Sequence, residues 1–190
     1  MNFYELPSSL AEEILQYEAW VRAYLSGSMG PEEMKARRVP MGVYEQRDRG
    51  KYMLRIRLPG GAITPGQLAT VARISEKYTE WPLHFTTRQD VQVHALNLAD
   101  TVEMMKELRK IGLSSRGGGG NTVRNITGAF DTGVDPEELF SVSPYIKALT
   151  TRMIAEKDSW GLPRKFKIAF SGTFVTKAWP LWRIWGLSPR

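Results

Sequence analysis

Residues 51–61, KYMLRIRLPGG, decide the fold of this chain, because they combine a strand with the turn that ends it. Apolar and polar side chains alternate along residues 51–58, which is the two-residue period of a half-buried strand. The two faces of this strand hold Tyr52, Leu54, Ile56 and Leu58 on one side and Lys51, Met53, Arg55 and Arg57 on the other. The first set is therefore predicted to face the core.

The residues that follow predict the rest of a compact unit. TPGQ at residues 64–67 is a capping box with proline at the first helical position, so a helix begins there. Strands are predicted at 83–87 and 91–96, and a second helix ends at Gly112. The order strand–helix–strand–strand–helix is most of a ferredoxin-like unit. We therefore predict an α+β fold in which residues 41–113 form a ferredoxin-like βαββα half domain.

Three further segments flank this unit. Residues 1–40 are predicted to be a helical extension, in which an amphipathic helix spans residues 8–25. Residues 114–172 contain a glycine-rich loop, a helix and a strand at 164–170, and are predicted to form a partial α/β domain. Residues 173–190 hold three of the chain's six tryptophans and no acidic residue. This tail is predicted to be either a terminal helix or an artificial, out-of-frame end.

Composition narrows the class of partner. The net charge of +6 and the pI near 9.6 favour an anionic partner, such as nucleic acid, acidic lipid, phosphate or a polycarboxylate cofactor. The chain has no cysteine, so it can supply no thiolate to zinc or to an iron–sulfur cluster. The first twenty residues lack a basic start and a continuous apolar run, which predicts no signal peptide, no membrane span and a cytoplasmic location. No metal site is predicted from His84 and His94 alone.

The first candidate site is TTRQDVQ, residues 86–92, at the tip of the predicted hairpin. Arg88 presents a guanidinium between hydroxyl and amide side chains, and such a group suits an oxyanion or a carboxylate. The same pattern also fits a polar hairpin with an exposed arginine.

The second candidate site is RGGGGNTVRN, residues 116–125. Consecutive glycines allow backbone N–H groups to converge on an anion, and Arg124 and Asn125 would add side-chain donors. The segment is neither a P-loop nor a dinucleotide-binding fingerprint, because the residues around it do not match either pattern. The alternative interpretation is a flexible linker.

The third candidate site is LPRKFKI, residues 162–168. A strand here would point Lys165 and Lys167 to one face, about 7 Å apart, and Phe166 and Ile168 to the core. Two neighbouring ammonium groups would bind a small anion and could deliver protons to it. A solvated strand face with two ordinary lysines fits the pattern equally well.

Taken together, these strings resemble the siroheme-dependent sulfite and nitrite reductases. The similar strings are MLRIRLPGG, TTRQ, GGNTVRNIT and LPRKFK, in this order, and the resemblance covers about residues 42–172. It implies that residues 114–172 begin a siroheme-binding domain. It also implies that Arg88, Arg124, Lys165 and Lys167 surround the substrate anion. Further contacts to siroheme or the substrate are implied for Thr87, Gln89, Gln92, Asn121, Thr122 and Asn125, and carboxylate pairing for Arg55 and Arg57.

The chain departs from this family in one respect that bears on activity. The family couples siroheme to a 4Fe-4S cluster held by cysteines, and this chain has none. We therefore expect the N-terminal portion of an oxidoreductase, inactive alone because it is truncated or frame-disrupted, or completed by a second chain that supplies the missing half. An electron-donor protein or domain is also expected. The residues do not distinguish sulfite from nitrite.

Two other functions compete with this interpretation. A ferredoxin-like module with a basic glycine-rich loop could bind nucleic acid, although Tyr52 shares its face with core residues and is not predicted to stack on bases. A non-catalytic subunit that binds siroheme or assists its assembly would show the same cations.

Overall fold

The computed structural model describes residues 4–173 and 185–187, and it confirms the predicted α+β class. The helices are α1 (Leu10–Leu25), α2 (Pro31–Arg38), α3 (Pro65–Tyr78), α4 (Leu98–Lys110) and α5 (Ser143–Ala155), with short 3-10 turns at Pro59–Gly61 and Lys157–Trp160. The strands are β1 (Val43–Glu45), β2 (Tyr52–Ile56), β3 (His84–Phe85), β4 (Val91–Leu96), β5 (Thr127–Gly128), β6 (Ile168–Phe170) and β7 (Trp185–Leu187). Among the described residues, no helix is both long enough and apolar enough to cross a membrane.

The first sheet is antiparallel and has the strand order β1–β2–β4–β3. Apolar residues of α1, α3 and α4 cover one of its faces and form the main core. The four strand residues predicted to face inward lie in this core: Tyr52, Leu54, Ile56 and Leu58. The ferredoxin-like half domain is thus present, with β1 as an additional edge strand that sequence periodicity did not predict.

The capping box forms as predicted and also ties α3 to α4. The Thr64 hydroxyl accepts from the backbone N–H of Gln67 at 3.1 Å, and the side-chain Oε1 of Gln67 accepts from the backbone N–H of Thr64 at 3.0 Å. The side-chain Nε2 of Gln67 donates to the Ile111 carbonyl at 2.8 Å, just beyond the end of α4. The Gln67 side chain therefore caps the start of α3 and also binds the backbone at the end of α4.

The second face of β2 is not the exposed surface that the alternation predicted. Met53 and Arg57 are both buried there, and Arg55 is half-buried. The cover comes from the glycine-rich loop after α4, and Arg57 and Ser114 form an isolated antiparallel bridge. Because this cover lies about sixty residues downstream, the local pattern carried no sign of it.

A second, smaller sheet follows and is parallel, in the order β5–β6–β7. α5 packs against it around Val142, Ile146 and Ile168. The predicted strand at 164–170 is shorter than expected, because only Ile168–Phe170 is regular and Phe166 forms a single bridge to Val123.

The tail predicted at residues 173–190 falls largely outside the described residues. The described residues of the tail are Thr173 and Trp185–Leu187, and the latter pair with β6 as a parallel strand, so the expected terminal helix is wrong for these three residues.

Candidate functional site

Two arginine side chains meet at one backbone carbonyl of the glycine-rich loop. Arg55 on β2 donates to the Gly118 oxygen at 3.0 Å, and Arg124 donates to the same oxygen at 2.8 Å. Tyr44 on β1 lies beside them, with its ring centre 5.5 Å from the Arg55 guanidinium carbon. A partly exposed pair of guanidinium groups at this spacing can hold one oxyanion or carboxylate between them.

The glycine-rich loop is ordered by packing and is neither the flexible linker nor the amide nest that the sequence suggested. Three of its four glycine N–H groups are used inside the protein: those of Gly117 and Gly118 donate to the carbonyls of Pro40 and Ser115, and that of Gly120 donates to the Tyr44 hydroxyl. Its carbonyls point the other way and accept hydrogen bonds from arginine side chains. The loop thus gathers cations with its carbonyl groups.

Glycine is required in this loop where the backbone approaches its neighbours. A Cβ on Gly119 would overlap the Val39 carbonyl and the Tyr44 hydroxyl, and one on Gly118 would lie 2.9 Å from the Ser115 carbonyl oxygen. The absence of side chains lets the loop lie flat on β1 and β2.

Arg57 is an internal anchor, which corrects the expectation that it pairs with cofactor carboxylates. Its side chain is buried and donates to the carbonyls of Arg116, Gly117 and Val123 at 3.3, 2.8 and 2.9 Å. These bonds hold the loop against β2.

Arg88 is likewise turned inward. Its Nη2 donates to the carbonyls of Asn125 and Ile168 at 2.5 and 3.2 Å, which joins the hairpin tip to β6 and to the segment just before β5. Its Nε is buried without a hydrogen-bond partner. Asn125, also buried, completes the junction by donating to the carbonyls of Leu58 and Arg88 at 2.7 and 2.9 Å.

The remaining residues predicted as contacts are divided between the interior and the surface. Gln89 forms a pair of hydrogen bonds with the Gly128 backbone, both 3.1 Å long, and Thr122 is buried within the loop. Thr87 and Asn121 are exposed. Gln92 is buried beside Arg55, 2.7–3.0 Å from its guanidinium.

The lysine segment lies next to this site, although its two lysines differ in exposure. Arg124 donates its backbone N–H to the Phe166 carbonyl at 2.9 Å, so Lys165 and Lys167 flank a residue paired with the arginine segment. Lys165 is exposed and lines an open groove of about 680 Å³ with Leu162 and Phe166. Phe166 is 40% exposed, so the prediction that it points into the core is wrong.

Asp90 lies among the arginines and was missed by sequence reasoning. It is buried, and burial raises the pKa of its carboxyl group to about 6 against the opposing effect of Arg57 and Arg55. Burial also lowers the pKa values of Arg55, Arg57 and Arg88. Its position in the quoted hairpin was visible in the sequence, but its burial among guanidinium groups from three segments was not.

The charges of this cluster do not balance, and the imbalance fits a polycarboxylate. Four guanidinium groups, those of Arg55, Arg57, Arg88 and Arg124, interact electrostatically around Asp90. Excess positive charge in a half-buried region favours an anionic ligand, since few water molecules are left to solvate it. The donor set therefore suits siroheme carboxylates or a small oxyanion. It does not suit an iron–sulfur cluster, because the chain has no cysteine, and no metal-binding group of three or more ligands occurs in the described part of the chain.

Two sequence models of one family match this chain in succession. The nitrite/sulfite reductase ferredoxin-like half domain matches residues 44–111, and the nitrite and sulphite reductase 4Fe-4S domain matches residues 119–177. That family is siroheme- and 4Fe-4S-dependent.

Individual proteins give the same result. The assimilatory ferredoxin-dependent nitrite reductase of Haloferax mediterranei is 34% identical over 143 residues, which are 69% of this chain and 24% of that protein. The ferredoxin–nitrite reductase of Synechococcus elongatus is 38% identical over 128 residues, 65% of this chain and 25% of that protein. The solved structure of the Mycobacterium tuberculosis NirA protein shares the fold with a TM-score of 0.71 and 24% identity, and the match covers 88% of this chain and 36% of that one.

This chain spans about a quarter of the length of the curated relatives it matches. The matched models follow one another in the order half domain, then 4Fe-4S domain, and together they cover the hairpin, the glycine-rich loop from residue 119 onward and the lysine segment. The chain therefore belongs to the nitrite and sulfite reductase family, of which it represents a partial, N-terminal portion.

Proposed function

We propose that this chain binds siroheme and serves as part of an oxidoreductase that reduces sulfite or nitrite. The observation that supports the proposal most strongly is the convergence of Arg55 and Arg124 on the Gly118 carbonyl, at 3.0 and 2.8 Å. Siroheme, when bound, supplies the iron and the redox chemistry.

The protein residues would bind and protonate the anion. Arg55 and Arg124 would hold an oxyanion or a carboxylate by paired N–H donors, and the fixed cations would stabilise negative charge in a half-buried pocket. Lys165 and Lys167 would add positive charge and donate protons to substrate oxygens. Arg88, whose Nη2 donates to two carbonyls, would act as a positioning residue that keeps the hairpin beside the second sheet.

Turnover would require components that this chain does not supply. Because these residues include no cysteine, the cluster ligands would have to come from residues outside them, either of a longer chain or of a partner chain. Relatives are named as ferredoxin-dependent nitrite reductases, so a ferredoxin is the proposed electron donor. A cytoplasmic location remains a prediction.

The test is a siroheme titration of the full chain, followed by its visible absorption. We expect saturable binding, and an affinity weaker by about a hundredfold or more in the Arg55→Met and Arg124→Met double variant, because two charge-assisted contacts worth about 1.5–3 kcal/mol each are lost. Arg47→Met is the matched control, since Arg47 is an exposed arginine of the same half domain.

Each competing function predicts a different outcome. Salt-dependent RNA binding without affinity for siroheme would favour the nucleic-acid module and contradict the proposal. Stoichiometric siroheme binding with no turnover, even after a cysteine-bearing partner is added, would indicate a non-catalytic subunit. Sulfite or nitrite reduction by this chain alone would contradict its expected inactivity.

A further inference from the structure

A β-bulge beside the arginine pair fixes the orientation of one amide. β4 places His94 and Ala95 opposite a single residue of β2, and Ala95 adopts a left-handed conformation with φ of 58°. The backbone N–H of Ala95 donates to the side-chain Oε1 of Gln46 at 2.7 Å. The nitrogen of the same amide must then face His94 Nδ1, which is 3.1 Å away.

This geometry determines where the His94 proton lies. Because the Gln46 nitrogen is a donor, Nδ1 must accept, and a neutral imidazole then carries its proton on Nε2. The imidazole is held neutral by its surroundings: burial lowers the pKa of His94, and the charges of His84 and Arg55 lower it further. The His84 ring stacks on it at 5.7 Å, and Trp81 lies at 6.4 Å.

Gln92 lies between this imidazole and the guanidinium of Arg55. When its carbonyl oxygen accepts from Arg55 Nε and Nη2, at 3.0 and 2.7 Å, its amide nitrogen is 3.3 Å from His94 Nε2. That contact brings two donors together. Turning the Gln92 amide places its oxygen at His94 Nε2, but it then places the Gln92 nitrogen against the N–H donors of Arg55. In either orientation the NH₂ group of the buried Gln92 faces another donor, that of His94 or those of Arg55. These three side chains therefore lack one hydrogen-bond acceptor.

We propose that Gln92 turns when an oxyanion binds at Arg55, with His94 and Gln46 as positioning residues. The anion accepts the Arg55 N–H groups and the Gln92 NH₂, while the Gln92 oxygen turns to accept from His94 Nε2–H. This rests on the proposed function, since the missing acceptor is a carboxylate of siroheme or a small substrate anion. Both ligands present anionic oxygen atoms that accept hydrogen bonds.

The first test needs no ligand. Nitrogen NMR of the histidine rings at pH 7 should show neutral His94 with its proton on Nε2, and a proton on Nδ1 would overturn the proposal. Gln92→Glu supplies the missing acceptor to both neighbours, so we expect its melting temperature to rise by about 2–4 °C. Gln16→Glu, an exposed change of the same chemistry, should shift it by about 1 °C or less. A lower melting temperature for Gln92→Glu would contradict the donor conflict.

The second test separates the ligand sources. The Gln92 side-chain NH₂ resonances are followed while the full chain is titrated with siroheme and, separately, with sulfite. A shift with siroheme alone assigns the acceptor to a cofactor carboxylate, and a shift with sulfite alone assigns it to the substrate. If neither ligand shifts these resonances, the turning of Gln92 is refuted. Siroheme absorption, read in the same samples, tests the proposed function independently.

Discussion

Replacing Arg57 with methionine removes the buried guanidinium that fastens the glycine-rich loop to β2. The change removes the arginine donor from three carbonyls, those of Arg116, Gly117 and Val123, and of these the Gly117 carbonyl keeps a second donor, the Thr122 hydroxyl. It also removes a positive charge that acts on the buried carboxyl group of Asp90. Hydrogen bonds to a charged group contribute about 1.5–3 kcal/mol each, but they are not additive within one side chain. Breaking a buried charged network by removing one partner costs about 3–5 kcal/mol, so we expect a loss of about 4 kcal/mol in the free energy of unfolding.

Urea denaturation followed by tryptophan fluorescence and circular dichroism measures this loss. A chain of this length should melt about 8–16 °C lower, at roughly 2–4 °C for each kcal/mol. Arg57→Lys keeps the charge but not the planar guanidinium group. Its melting temperature should therefore lie between those of the wild type and Arg57→Met. Arg47→Met, an exposed control, should change the free energy of unfolding by about 0.5 kcal/mol or less. A loss below about 1 kcal/mol in Arg57→Met would refute the anchoring role.

Three further changes test the packing, the charges and the N-terminal extension. Gly119→Ala should destabilise the chain by about 1–3 kcal/mol, because its Cβ overlaps a backbone carbonyl, whereas Gly66→Ala has open space and should be nearly neutral; thermal melts compare them. Burial raises the pKa of Asp90 from 3.8 to about 6, so the native state holds the proton of this carboxyl group more tightly than the unfolded chain does. The contribution of this group to the free energy of unfolding should therefore fall by about 3 kcal/mol as the pH rises between these two pKa values. The stability difference between wild type and Asp90→Asn, measured from pH 4 to 7, should follow that fall, and a rise would mean that the arginines outweigh burial. Glu13→Gln breaks the ion pair between α1 and the buried Arg116 of the loop, and it should lower the free energy of unfolding in urea by about 2 kcal/mol. The control Glu12→Gln, at an exposed residue, should lower it little, and an equal effect of both changes would contradict the pairing.

The first sheet was predictable because its signals are local. Alternation along residues 51–58 and the capping box at Thr64 are each complete within a few residues, and both features formed. The same alternation failed for the second face of β2, where Arg57 is buried. Its cover is a loop distant in sequence, and no periodicity within β2 reports on it.

The candidate site, too, was predictable from the sequence only in part. Which residue types belong to it was visible in the motifs, but the direction of each side chain depends on contacts between segments. Arg88 stood out in the sequence because it follows two threonines, yet its Nη2 donates to Asn125 and Ile168. Arg55 looked secondary in the strand, yet it shares a carbonyl with Arg124. The glycines signalled backbone freedom, without indicating whether N–H or C=O groups would point at the ligand.

A double-mutant cycle between Arg55 and Arg124 in siroheme binding tests the central claim most directly. If both guanidinium groups hold the same ligand, the double variant should deviate from the product of the single losses by about fivefold, a coupling of about 1 kcal/mol. The effects of changing Arg47 and Arg55, which share no hydrogen-bond partner, should multiply within about twofold. Independent losses from Arg55 and Arg124, or no loss from either, would contradict a shared anion site.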